Sequence, residues 1–165
     1  ALRTIIRNPE GLTPLMIGAA RGEIETVTRL LEEGAEVNAK DFRGMTCLMF
    51  WALVGHVAVC EILLKRGAKV DLRTPGGCTA LSYAVNAGHD ALIELMARYG
   101  AKINGKIKGV TFLRMAAAKG HERVVDALLK NGADRAAKDH RGQAAAAYAE
   151  KQGHPELAQR LMGGN

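Results

Sequence analysis

The chain has 165 residues and a net charge of +6 at pH 7, a length that suits one domain or a short array of small units and excludes two large domains. Apolar residues at 48% and charged residues at 24% exclude a disordered chain. Aromatics at only 4% mean that small aliphatic side chains must fill the core.

No apolar stretch approaches the roughly 18 residues a membrane span needs, so no membrane partner is expected. The N-terminus lacks a charged segment followed by an apolar run, so no signal peptide is read. Cys47, Cys60 and Cys78 are odd in number and fit a reducing compartment better than a disulfide framework. An intracellular protein, cytoplasmic or nuclear and not secreted, is the expectation.

The elements repeat along the chain. Gly11-Leu12-Thr13, Gly44-Met45-Thr46 and Gly77-Cys78-Thr79 recur at a period of 33. Gly109-Val110-Thr111 arrives after 32, and Gly142-Gln143-Ala144 restores the step of 33. A second glycine stands at Gly22, Gly55, Gly88, Gly120 and Gly153, followed in all but the first case by His56, His89, His121 and His154. Gly-Ala marks a third position at Gly34, Gly67, Gly100 and Gly132. Three markers in phase define units at about 8–40, 41–73, 74–106, 107–138 and 139–162.

The first unit shows the local physics. Thr13 can cap a helix and Pro14 suits its first turn, so a helix is predicted from Pro14 to Arg21. Gly22 ends it. A second helix from Glu23 to Glu33 puts Ile24, Val27, Leu30 and Leu31 on one face. Gly34 ends that helix, and an extended turn leads to the next unit. Such a pair cannot bury its apolar stripe alone, so the units must stack into a solenoid. The fifth unit reads as a C-terminal cap: Ala144 to Ala147 is helix-forming, and Glu156 to Met162 offers one apolar and one polar face.

These markers, with Thr13-Pro14-Leu15 and Gly34-Ala35-Glu36-Val37-Asn38-Ala39-Lys40, resemble ankyrin repeats over residues 8–162. The resemblance implies an all-α solenoid of helix–loop–helix units joined by β-hairpin loops. With layers roughly 8–10 Å apart, five would span about 40–50 Å. The chain departs from the family motif at its histidine, replaced by Met16, Met49, Ser82, Arg114 and Ala147, so the inter-repeat polar bridge is expected to be absent. Trp51 stands where the family has a small residue, and the shortened segment between Gly100 and Thr111 is expected to be distorted and to make the weakest junction. Ala1 to Arg7 is not a full helix pair, which reads either as an excerpt of a longer array or as a lost cap. Natural and engineered origins both fit, although these departures argue against a pure consensus design.

No phosphate loop or nucleophile elbow is present, and no cofactor or catalysis is expected. The histidines are copies of one structural position about 10 Å apart, too far to converge on one ion. They are expected to satisfy loop backbone groups. Cys60 is expected to be buried, and Cys47 and Cys78 more accessible. By unit the charge is −3, +2, +1, +4 and 0, with Arg3 and Arg7 adding the rest. An acidic first unit argues against a continuous basic track, which disfavours nucleic acid. A basic surface for nucleic acid or an acidic partner stays as the alternative.

The resemblance implies that hairpin tips and the exposed, concave face of the first helices bind a partner protein, with the chain itself monomeric. Those positions hold Phe42, Arg43, Met45, Phe50, Leu53, Val54, Cys78, Tyr83, Asn86, Val110, Arg114, Met115 and Lys119. Phe50, Leu53, Val54, Tyr83 and Met115 are expected to form an apolar patch edged by Arg43, Arg114 and Lys119. The competing expectation is that Phe50 and Trp51 pack inward.

Overall fold

The structure, a computed structural model, describes residues 9–163. Ala1 to Arg7, and the charges of Arg3 and Arg7, lie outside the described residues.

Five helix pairs follow in chain order: α1 (Pro14–Ala20) with α2 (Ile24–Glu32), α3 (Cys47–Val54) with α4 (Val57–Lys65), α5 (Ala80–Ala87) with α6 (Asp90–Arg98), α7 (Phe112–Lys119) with α8 (Glu122–Lys130), and α9 (Ala145–Lys151) with α10 (Pro155–Leu161). Each first helix starts where the spacing predicts. The hydroxyls of Thr13, Thr46, Thr79 and Thr111 accept the free N–H of Met16, Met49, Ser82 and Arg114 at 3.2–3.3 Å. Ala144 gives α9 no such cap. The expected ends move by one residue, to Ala20 and Glu32 in the first pair.

The pairs stack in register. First helices pack α1 on α3, α3 on α5, α5 on α7 and α7 on α9, while α4, α6 and α8 pack alongside. The buried Ala52, Ala84, Ala116 and Ala149 let the first helices approach closely. Leu63, Leu92, Ile93, Met96, Leu128, Leu157 and Leu161 fill the space from the second helices. Trp51 and Phe112 are the buried exceptions to this aliphatic core. Among the described residues the buried Trp51 Nε1 has no oxygen or nitrogen acceptor, and the Cys47 thiol is the group beside it.

Between pairs the chain forms hairpins. Asp41 N–H donates to Met45 C=O, Thr74 N–H to Cys78 C=O and Asp139 N–H to Gln143 C=O, each closing a three-residue loop. A side chain supports each turn from inside. Asp41 Oδ1 accepts from Arg43 and Met45 N–H at 2.9 and 2.8 Å. Asp139 Oδ1 accepts from Arg141 and Gln143, and Thr74 Oγ1 from Cys78.

The segment 100–111 corrects the expected distortion. Its deletion shortens the loop to two residues, Lys108 and Gly109, between β1 (Lys106–Ile107) and β2 (Val110–Thr111). The strands pair antiparallel, Lys106 with Thr111 and Ile107 with Val110. Lys108 at φ 49° and Gly109 at φ 80° take the left-handed values of a tight two-residue turn. The reason is chemical. Ile107 replaces the Asp or Thr that supports the longer loop from inside, so the chain uses a turn that needs only backbone bonds.

Candidate docking surface

The hairpin tips and first helices form one side of the stack, and the second helices the other. Among the described residues, seven large apolar side chains are exposed: Ile24, Phe42, Leu53, Val54, Val57, Tyr99 and Met162. Four of these belong to the second unit. Phe42 is 71% exposed at a hairpin tip, and Val54 and Leu53 are 66% and 43% exposed at the end of α3.

The other expected contact residues divide. Phe50, Tyr83 and Met115 are half-buried and pack against the core with one face. The Arg43 guanidinium lies 5.8 Å from the centre of the Phe50 ring. Tyr83 sits beside Cys78, Arg43 and Asp41, and partial burial first, then Cys78, raises its phenol. Phe50, Tyr83 and Cys78 are thus a half-buried cluster with exposed Arg43 at its edge. Val110 is half-buried in β2. Asn86 is exposed, and its carbonyl accepts from exposed Lys119 Nζ at 3.3 Å. Trp51 packs inward, as the competing expectation had it, whereas Phe50 only half follows.

Three expectations are corrected. Met45 is core, because the turn around Asp41 folds it under the hairpin. Cys47 is buried at the first turn of α3, and burial pushes its thiol up to about 12, as it does Cys60. Arg114 is not a free rim charge. Its guanidinium stacks 3.6 Å over the Tyr148 ring, and Nη1 lies 3.1 Å from Asp139 Oδ2. The Tyr148 hydroxyl donates to the same oxygen at 2.5 Å. Arg114 stands in the family's histidine position and ties the fourth unit to the fifth, so the polar bridge expected to be absent is present there. No expectation had joined these three residues, although an Arg at that position facing a hairpin Asp was the available signal.

The histidines do backbone work. His89 Nε2–H donates to Leu53 C=O at 3.0 Å and His121 Nε2–H to Asn86 C=O at 3.2 Å. Their rings cover Gly55 and Gly88, where a Cβ would stand 2.5 and 3.2 Å from the ring. His56 differs: its Nδ1 accepts from Val59 N–H, and the ring meets Trp51 edge-on at 5.1 Å. Among the described residues no group of three or more His, Cys, Asp or Glu could hold a metal ion. No described helix is long and apolar enough to cross a membrane.

No curated protein matches the chain. A family model described as ankyrin repeats (3 copies) matches residues 15–107 and 81–165. With that match over most of its length, and with these stacked helix pairs and hairpins, the chain belongs to the ankyrin-repeat family.

Proposed function

We propose that this chain is a non-catalytic module that docks a partner protein on the first-helix face and hairpin tips of units two to four. Ankyrin repeats are generally protein–protein interaction modules and typically non-catalytic. The observation that carries the reading is the concentration of exposed apolar side chains in the second unit, with Phe42, Leu53 and Val54 on the docking side. Exposed apolar residues gathered in one region with a polar rim mark interaction surfaces. Arg43 and Lys119 supply that rim, and the half-buried Phe50, Tyr83 and Met115 supply the floor.

Site-specific photo-crosslinking in lysate tests the reading. A photoreactive side chain at Val54 should capture a protein, and excess unmodified chain should compete the adduct away. The same group at Arg123, on α8, should capture nothing that competes. Specific capture from position 123 alone would place the docking surface on the second helices and overturn the proposal.

A further inference from the structure

We infer that the hairpin edge of the stack is a docking track for an acidic, extended peptide segment of the protein partner. The inference rests on the reading that this side of the stack binds protein. It starts from where the charge sits. Segments 34–46, 67–79, 100–111 and 132–144, which contain the hairpins, carry ten Lys and Arg against five Asp and Glu, a net +5 of the chain's +6. The second helices and their caps, 23–33, 56–66, 89–99, 121–131 and 154–162, carry seven basic and ten acidic residues, a net −3. Charge is therefore segregated by side of the stack. The acidic character of the first unit, which argued against a continuous basic track, comes mostly from Glu23, Glu25, Glu32 and Glu33 on the second-helix side.

The carboxylates on the hairpin side are mostly engaged. The side chains of Asp41 and Asp139 are 0% and 2% exposed, and each holds its own turn and an arginine. Asp71 accepts from Lys102 N–H and Asp134 from Ala136 N–H. The cations point outward. Lys40, Arg73, Lys106 and Lys138 occupy one hairpin position in successive units and are all exposed. Lys40 Nζ donates to Arg73 C=O at 2.8 Å, and Arg73 Nη1 to Lys106 C=O at 3.3 Å. The first two head groups thus lean on the next hairpin, and the four equivalent positions put the cations in one row along the stack. Exposed Arg43, Lys108 and Arg141 flank that row at the tips.

Spacing selects the occupant. Stacked helices lie about 8–10 Å apart, and an extended chain rises about 3.3 Å per residue, so every third residue of a peptide meets a cation. Each strand of duplex DNA presents a phosphate about every 3.4 Å of helix axis, roughly three for each cation of the row. Single-stranded binding also needs aromatic platforms, and Phe42 is the one Phe, Tyr or Trp in the four segments.

The test is fluorescence anisotropy on the full chain with three labelled probes. One is a twelve-residue peptide of Glu-Gly-Ser triplets, the second has the same composition with its glutamates contiguous, and the third is a twelve-nucleotide oligothymidine. The triplet peptide should bind best, and its binding should weaken from low to physiological salt. Reversing Lys106→Glu with Lys138→Glu should weaken it about tenfold, and the milder Lys106→Gln with Lys138→Gln about threefold. The control Arg98→Glu with Arg123→Glu changes net charge equally on the second helices and should stay within about twofold. Circular dichroism confirms that each variant is folded. Equal loss in the control, equal binding of the contiguous peptide, or tighter binding of the oligonucleotide would each overturn the proposal. If no acidic peptide binds while the Val54 crosslink still captures a partner, the acidic track fails and the docking face stands. If both fail, the docking reading itself is wrong.

Discussion

Gly105 lies under the ring of Phe112, so close that a Cβ at 105 would stand 2.8 Å from ring atom Cε2 and 3.0 Å from the Lys102 carbonyl oxygen. In register, the same two positions hold Leu72 and Ala80 one unit earlier, and Ala137 and Ala145 one unit later. The third hairpin has exchanged its bulk for a fully buried aromatic at the start of α7. Gly105→Ala should therefore overpack the site and cost about 1–3 kcal/mol. Phe112→Ala should cost about 3–5 kcal/mol. In the double variant the alanine at 105 should cost clearly less than it does alone. Urea denaturation of the four proteins measures this, and additive losses would show that the two residues are not coupled.

Asp139 gives a pH dependence with a fixed sign. The Tyr148 hydroxyl first, then the Gln143 and Arg141 N–H groups and the Arg114 guanidinium, hold its carboxyl down at about 2. An unfolded-state Asp titrates near 3.9. A depressed folded value means the stabilisation is complete above the unfolded value and is lost as pH falls through about 2. Asp139→Asn should lower the melting temperature at neutral pH, and the gap from wild type should close toward pH 2. Tyr148→Phe, which removes the leading cause, should raise the carboxyl titration followed by NMR. A melting gap that does not change with pH would show that the charge is not what matters.

Much of the fold was legible because backbone constraints repeat. Thr13 and Gly22 fix helix ends by capping and left-handed φ, and both follow from residue type alone. Contacts between units were less legible. Nothing in residue order says that the Arg114 guanidinium turns from solvent to lie on Tyr148, because that contact needs a hairpin and a helix from the next unit. Met45 resembled a tip residue until the Asp41 turn placed it underneath. The docking face was legible as a set of positions. Its division into exposed Leu53 and Val54 and half-buried Phe50, Tyr83 and Met115 depended on how the neighbouring units cover each one.

The three cysteines should separate by reactivity. Burial holds the Cys47 and Cys60 thiols near 12, so almost no thiolate forms at neutral pH. Cys78 is half-buried beside Tyr83 at a hairpin. Native alkylation followed by mass spectrometry should give one adduct, at Cys78, and denaturant should release the other two. If Cys47 reacts as fast as Cys78 in the folded protein, α3 opens more readily than its packing implies. A bulky adduct at Cys78 should also weaken partner capture at Val54, because the thiol lies against Tyr83 of the proposed docking floor.

The two-residue turn at Lys108-Gly109 offers the last prediction. Lys108 is the one non-glycine residue among those described with a positive φ, at 49°. A side chain there resists the left-handed region by about 1 kcal/mol, and asparagine resists it less. Lys108→Asn should therefore stabilise the chain by up to about 1 kcal/mol, whereas Lys108→Val, with a branched side chain, should destabilise it by a similar amount. The antiparallel pairing of Lys106 with Thr111 and Ile107 with Val110 should also protect this hairpin. Hydrogen exchange near residues 106–111 should then be no faster than near 74–78, which reverses the expectation drawn from the shortened segment alone. Faster exchange near 106–111, with no gain from Lys108→Asn, would restore the junction between the third and fourth units as the weak point of the stack.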